Sequence, residues 1–459
     1  MKETLSIRTQ GVRLASDGSG VGFVEGVTTF VAGLLPGETA EIEILERKKR
    51  FQRAQLIRLL QPAVERRDPP CPVFSVCGGC RLQHLDYAST LAWKRQWVSD
   101  ALQRLGKVDI EQGVNPTLGM EFPWRYRNKA RLHRDEEGHL GYYRERTHET
   151  IRFPDCLLLS EGMNQWIKTL EDTLGQAYPT IRNVTLRQNT RGEGLCLLEN
   201  LPEGRAREHL QTRLKTVFPE SVSVWGLTQS GNLVDLTDKG EGIAVGRQDR
   251  RQNVLEDVFR DTLQDDFQES ERRLTGLLEA RAAALDVEIL GKRFQVSPLA
   301  FLQVNPLMTE KLYSLALAWA DLTGKERIWD LYSGIGTLTL ALAGKAQEVL
   351  GIEENPFAVE DALHNAQLNG MKNTRFLAGR VEERLIELKD RPDVVVLDPP
   401  RAGIEPAVVQ ALLRLKPERI IYVSCDPGTL ARDAGRLVQG GYRVERVQPV
   451  DMFPWTGHV

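Results

Sequence analysis

The 459-residue sequence predicts a multidomain protein: a C-terminal α/β domain built on a parallel sheet, preceded by a small N-terminal β-barrel and a mixed central domain. Three observations predict this. From residue 309 onward, helical stretches alternate with the short apolar runs RIWDLYS, EVLGIEE, DVVVLDPP and RIIYVSCD, the rhythm of parallel strands joined by crossover helices. Residues 1 to about 62 instead alternate β-like segments with Gly turns, as in GSGVGFVEGVTTFVAGLLPGETAEIEI, a pattern that suits a five-stranded barrel. The length also exceeds what one hydrophobic core organises.

Composition narrows the class. Hydrophobic residues at 41% and charged residues at 27% are ordinary for a globular protein, and no apolar run reaches membrane-spanning length, so no membrane partner is expected. The opening MKETLSIRTQ lacks the apolar core of a secretory signal, which places the chain in a reducing cytoplasm and disfavours disulfides. A net charge of −3 excludes a uniformly basic coat, although RKKR at 47–50 concentrates charge locally. Nothing in the sequence calls for an obligate protein partner.

The elements follow in order. The barrel, residues 1–62, ends at VERRDPP, where paired prolines and charges favour a boundary. Residues 63–84 hold a cysteine cluster. Residues 85–118 read as a helix, with Leu91, Trp97, Ala101 and Leu105 recurring on one side. The central domain, 119–290, turns to short strands and turns, then to a charged helical segment at 250–285 through Leu255, Val258, Leu274 and Leu278, for which no chemical role is apparent. The α/β domain occupies 291–459, and no internal repeat interrupts the chain.

Candidate chemistry gathers at the strand ends. In DLYSGIGTL, Asp330 closes a strand, and Gly334 with Gly336 permits a tight turn close to a ligand. Glu353 ends the next strand, 17 residues after Gly336, where a carboxylate can accept from both hydroxyls of a ribose. A third, helix-starting Gly is missing, so S-adenosylmethionine, which has a ribose but no pyrophosphate, fits better than a dinucleotide. Asp398 opens DPPR at a further strand end, and Cys425 follows a β-branched run that reads as a buried strand. A lone Cys is ordinarily an inert core residue; its position among these motifs argues otherwise. Beside a methyl donor, a thiolate can add to carbon 6 of uracil and make carbon 5 nucleophilic, while Asp398 hydrogen-bonds the ring edge.

These residues resemble the RNA (uracil-5-)-methyltransferase family, in particular its iron–sulfur-containing 23S ribosomal RNA branch, over nearly the whole chain. The resemblance implies an N-terminal RNA-binding TRAM barrel of OB-like form, a central domain with a [4Fe-4S] cluster, and a class I S-adenosyl-L-methionine methyltransferase domain. QVSPLAFLQVN carries over Gln303 as a cofactor contact beside Phe301, DLYSGIG adds Tyr332 to Gly334 and Gly336, GIEEN supplies Glu353, LDPPR supplies Asp398, and VSCDPGTLARD supplies the nucleophile Cys425. It also implies that residues near 85–118 pack with the catalytic domain.

Cys71, Cys77 and Cys80 stand in C-x5-C-x2-C spacing, with Cys156 in FPDC as a fourth thiol, a set able to bind zinc or an iron–sulfur cluster. Metal-free buried thiols are the competing reading, and the family selects [4Fe-4S]. The C-x3-C-x2-C spacing of radical enzymes is missing, so the cluster is read as structural or RNA-positioning. Cys196 reads as core. In WRYRNKARLHR, Arg125, Tyr126, Arg127, Lys129 and Arg131 interleave with Trp124 as candidate RNA contacts, against the plainer reading of a solvated strand.

One departure stands out. The family pattern follows MFPxTxHV with a glutamate that abstracts the carbon-5 proton, whereas the sequence stops at DMFPWTGHV. The expectation is a truncated chain that forms the RNA adduct but releases product poorly, with His458 the other candidate base; Trp455, in place of the usual histidine, suggests a diverged rim. The rival readings are a transfer RNA uridine-5 methyltransferase, an RNA N-methyltransferase using the D-P-P motif, and a non-catalytic RNA-binding factor.

Overall fold

Six strands rather than five form the N-terminal sheet of the computed structural model, which describes residues 7–237 and 283–459. They run Ile7–Gln10, Arg13–Leu14, Ser19–Val24, Val27–Ala32, Thr39–Arg47 and Phe51–Gln61. The extra strand arises because the first stretch changes partners: Ile7–Gln10 pairs with Thr39–Arg47, whereas Arg13–Leu14 pairs with Ser19–Val24. Alternate residues turn inward to give a core of Val24, Val31, Leu34, Ala40, Ile42 and Ala54. At its edge Glu38 is fully buried, accepting from Leu35 N at 2.7 Å and from Arg66 Nε at 2.5 Å. The expected boundary VERRDPP is thus anchored to the barrel through Arg66.

The 85–118 segment is helical only in its first part. Asp86 caps an α-helix at Tyr87–Ala101 by accepting from Ser89 N, and a π-turn at Leu102–Gly106 ends it at Lys107, whose φ is 51°. The wider π-turn rotates Leu105 out to 65% exposure, so it leaves the stripe shared by Leu91, Trp97 and Ala101. The helix crosses Pro427–Gln439 at backbone contact: a Cβ added to Gly435 would lie 2.5 Å from Gly106 O. Trp97, Val98 and Leu102 share a core there with Ala431 and Ala434.

The central region is more helical than expected. Its seven-stranded sheet, Lys129–Arg134 through Leu233–Asp235, is covered by helices at Glu161–Leu174 and Gly204–Val217. The first buries Met163, Trp166, Ile167, Leu170 and Leu174 against the sheet. Cys196 lies in this core, fully buried, as expected. The segment expected to be helical through Leu255, Val258, Leu274 and Leu278 lies outside the described residues.

The C-terminal sheet is parallel, in the spatial order Thr374–Ala378, Glu348–Glu353, Arg327–Leu331, Val394–Leu397, Arg419–Tyr422. Val394–Leu397 is wholly buried because it sits inside the sheet with helices on both faces. Arg419–Tyr422, expected to be buried, is a half-buried edge strand. The chain order reverses between Arg327–Leu331 and Val394–Leu397, and the carboxyl ends of strands flanking such a point form a crevice for ligands. Among the described residues no helix is long and apolar enough to cross a membrane.

Candidate active site

Both loops at that crevice are locked by their own sequences. After Arg327–Leu331 the chain turns through Tyr332 and Gly334 with φ of 67° and 54°. A positive φ costs a Tyr roughly 1–3 kcal/mol, so the surroundings must hold the turn. Tyr332 N and Ser333 N both donate to Ile352 O, and Gly334 N donates to Glu353 Oε2 at 3.0 Å. Glu353 Oε1 accepts from Asn355 N at 2.8 Å, which leaves lone pairs on both oxygens for a diol. Nothing lies within 4 Å of where a Gly334 side chain would begin.

Three carboxylates converge beneath the turn. Asp330 is buried and accepts from Thr339 Oγ1 at 2.5 Å; burial, with Asp398 and Glu353 nearby, pushes its pKa up to about 7. Asp398 is half-buried, and desolvation raises it to about 6 against the one hydrogen bond, 3.5 Å, from Gln303 Nε2. Such like-charge crowding favours a cationic ligand. Gln303 and Asp398 therefore meet as expected, while Phe301 projects outward at 63% exposure.

Cys425 lies in the loop after Arg419–Tyr422, one residue before Asp426, which caps Pro427–Gln439 by accepting from Thr429 N at 2.8 Å. Desolvation raises the thiol, the Arg401 guanidinium lowers it, and Asp398 raises it again. The charges of both Arg401 and Asp398 of DPPR thus reach the nucleophile candidate, and burial wins, holding the thiol above its ordinary value, against the pull of the adjacent helix N-terminus. Sequence reasoning missed Asp433. Fully buried in Pro427–Gln439, it accepts from Ile404 N at 3.0 Å and Tyr422 Oη at 2.9 Å, so one carboxylate ties together the DPPR loop, the edge strand and the helix that flank Cys425. The apolar period of that helix marks its buried face, but nothing local marks the partners.

Residues 279–459 match the tRNA (Uracil-5-)-methyltransferase family model and residues 4–57 the TRAM domain model. An uncharacterized RNA methyltransferase of Clostridium acetobutylicum is 36% identical, over 96% of this chain and 93% of its own. The chain belongs to the RNA (uracil-5-)-methyltransferase family. A second uncharacterized RNA methyltransferase, from Listeria innocua, is also 36% identical, over 100% of this chain and 97% of its own. Among solved structures, the fold is similar to that of Pyrococcus abyssi tRNA (uracil-54, C5)-methyltransferase in complex with S-adenosyl-L-homocysteine, at a TM-score of 0.67, 23% identity and 98% coverage of both chains.

In this methyltransferase the basic-aromatic stretch departs from the expected RNA face. Tyr126 is 5% exposed and donates to Pro454 O, so it offers no ring to a base. Arg125 is committed to a bidentate pair with Asp155, at 2.8 and 2.6 Å, and to the Cys156 carbonyl. Arg127 is half-buried with an Nε that has no partner, Arg131 is exposed and pairs with Glu199, and Lys129 is half-buried. Trp124 stacks on Trp455 at 4.6 Å between ring centroids. Trp455 is itself buried and donates to Pro123 O, so it is an internal pin rather than a diverged rim.

Cys71, Cys77, Cys80 and Cys156 are half-buried and not joined by disulfides. Among the described residues no group of three or more His, Cys, Asp or Glu side chains is arranged to hold a metal ion, so the expected single closed ligand set is not formed. The thiols nevertheless share one neighbourhood. Cys80 is pushed up to about 12 by burial and by Cys156 and Cys77, and the buried Tyr142 hydroxyl, which feels all three, has no hydrogen-bond partner. Cys77, Cys80 and Cys156 thus lie near the orphaned Tyr142 Oη, a donor for which the described residues supply no acceptor.

Proposed function

We propose that this chain methylates carbon 5 of a uridine in 23S ribosomal RNA, with Cys425 as the nucleophile and S-adenosyl-L-methionine as methyl donor. The observation that carries the reading is Cys425 at the same sheet end as Asp398 and Arg401. The thiolate adds to carbon 6, forming a carbon–sulfur bond, and the electron pair moves onto the ring as an enolate. The Arg401 guanidinium would neutralise that charge, while the Asp398 carboxylate would accept a hydrogen bond from the N–H at the ring edge. Carbon 5 then takes the methyl group from the sulfonium donor, whose sulfur keeps the bonding pair and becomes neutral. A base removes the proton at carbon 5 and elimination breaks the carbon–sulfur bond, returning the thiolate. For the base, His458 is held well down, to about 4, by desolvation, Arg401, Lys94 and Arg127, so it is neutral at pH 7 but a weaker acceptor of the carbon-5 proton than a free imidazole.

Tyr332, Gly334, Gly336 and Glu353 would hold the adenosine part of the donor, and Gln303 with Asp398 would face its cationic end. Because protonating Asp398 removes a negative charge from that site, donor affinity should fall as pH drops through about 6, by up to about tenfold per unit. S-adenosylhomocysteine, whose sulfur is neutral, should show a shallower profile by calorimetry. Equal, flat profiles for both ligands would remove Asp398 from the donor site.

The resemblance supports a [4Fe-4S] cluster on Cys71, Cys77, Cys80 and Cys156, with the TRAM barrel and central domain holding RNA. Cys71, Cys77, Cys80 and Cys156 would hold the cluster, tying segment 71–80 to Cys156 near the half-buried Arg127, whose charge would offset that of the cluster's thiolates. Anaerobically purified protein should carry a broad visible absorbance and about four irons, both lost in Cys80→Ala; a colourless, iron-free wild type would remove the cluster. The target is tested by mapping 5-methyluridine in ribosomal and transfer RNA from cells with and without the protein. Loss at a transfer RNA position would favour the other substrate, on which the Pyrococcus abyssi structure's protein acts by name.

A further inference from the structure

We propose that Asp433 and Arg432 clamp the turn that carries Arg401, which makes the buried carboxylate a positioning residue for the nucleophile Cys425. The inference rests on the reading of Cys425 given above. The two loops concerned leave the sheet side by side: Leu397 pairs with Tyr422, and Val423 N donates to Leu397 O at 2.7 Å, so residues 398–401 and Cys425 follow adjacent parallel strand ends.

The turn is held on both sides of Gly403. Gly403 N donates to Pro400 O at 2.9 Å, closing a tight turn with Arg401 in its second place. Arg432 Nη2 donates to Ala402 O at 2.7 Å and Ile404 N donates to Asp433 Oδ2 at 3.0 Å, so the residues before and after Gly403 are both fixed to the helix Pro427–Gln439. Gly403 itself has a φ of 77°, and a Cβ there would strike the Asp433 carboxylate and the Arg432 guanidinium, so the chain lies on the clamp more closely than a larger residue permits. Arg432 Nε also donates to Asp433 Oδ1 at 2.8 Å, and Tyr422 Oη to Oδ2 at 2.9 Å. A carboxylate that only seated the helix on the sheet would need Tyr422 alone; this one also fixes a loop whose Arg401 and Ala402 are exposed.

What the turn presents is the Arg401 guanidinium. The charges that face Cys425 are Arg401 and Asp398 from the DPPR loop and Asp426 from its own loop, and of these Arg401 alone is a cation. His458, from the C-terminal segment, meets Arg401 at 3.4 Å between Nε2 and Nη2. A long, exposed side chain spends less time beside one group when its backbone wanders, so a turn fixed on both sides keeps Arg401 at the thiolate and at the ring charge that follows addition.

The test uses the full chain and iodoacetamide, with peptide mass spectrometry resolving Cys425 from the other cysteines. The midpoint of alkylation rate against pH is read rather than one rate, because intrinsic nucleophilicity rises with the pKa of the thiol. Arg401→Gln should raise the midpoint by about half to one pH unit, roughly three- to tenfold less thiolate at pH 7. Asp433→Asn should raise it too, and the sign discriminates: loss of a nearby negative charge by itself favours the thiolate and lowers the midpoint, whereas release of the turn raises it. The double variant should rise no further than Arg401→Gln. A lowered or unchanged midpoint in Asp433→Asn, or a further rise in the double variant, overturns the clamp. Should Asp433→Asn lose its fold by circular dichroism, Arg432→Lys decides. It keeps the charge but has no fork to reach both Asp433 and Ala402 O, so its thiolate fraction at pH 7 should fall about twofold or more; an unchanged midpoint there overturns the proposal. None of these measurements needs RNA, so failure of the clamp is separate from failure of the methylation reading, which absence of 5-methyluridine with wild-type protein would sink.

Discussion

Replacing Cys425 by Ala is expected to lower methylation by on the order of 10⁴–10⁶-fold, the range seen when a covalent nucleophile is removed. The side chain is small and half-buried, so the melting temperature should move little, by an amount equivalent to under about 1 kcal/mol. Two further readouts make the result specific. Wild type incubated with RNA and donor should give a protein–RNA species that survives denaturing electrophoresis, and Cys425→Ala should give none. An N-methyltransferase would keep its activity in Cys425→Ala, because amino groups need no thiol adduct. A binding factor with an idle catalytic domain would show neither adduct nor 5-methyluridine in wild type.

The second large effect is on stability. Lys94, in the Tyr87–Ala101 helix, is fully buried with its ammonium on Asp451 Oδ1 at 2.5 Å, on Phe453 O at 3.1 Å and on the His458 carbonyl. Tyr87 Oη occupies the other Asp451 oxygen at 2.8 Å. Burial lowers the Lys94 pKa by more than Asp451 raises it, so desolvation outweighs the pairing. Removing one partner strands the other charge, which costs about 3–5 kcal/mol. Lys94→Met should therefore lower the melting temperature by several degrees, and Asp451→Asn likewise. The double variant Lys94→Met, Asp451→Leu should recover much of the loss, since well-packed apolar pairs replace buried ion pairs at little cost. Equal melting of wild type and Lys94→Met would show that the pair contributes nothing.

Much of the catalytic domain was legible because its inner strands are buried on both faces and so read as unbroken apolar runs, Val394–Leu397 most plainly. The strand Thr374–Ala378 was not, since it is an edge whose residues are half exposed and carry no clear period. The central helix Glu161–Leu174 carries its own local signals: Ser160 caps it, Met163, Trp166, Ile167, Leu170 and Leu174 recur at helical spacing, and Gly175 ends it. The burial of Tyr126 is of another kind. Its partner, Pro454 O, lies 328 residues away, and no local pattern encodes a contact so remote. The same holds for Trp455 against Pro123 and for Asp433 among Ile404 and Tyr422, so the motif order located the site while the contacts that brace it stayed hidden.

The Lys94–Asp451 contact also has a consequence for biosynthesis. The two residues are 357 positions apart, so at ~5–20 residues per second the early helix emerges from the ribosome roughly 20–70 s before its counterion is made. Through that interval Trp97, Val98 and Leu102 must wait without the late helix they pack on, an apolar surface open to chaperones or to neighbouring nascent chains.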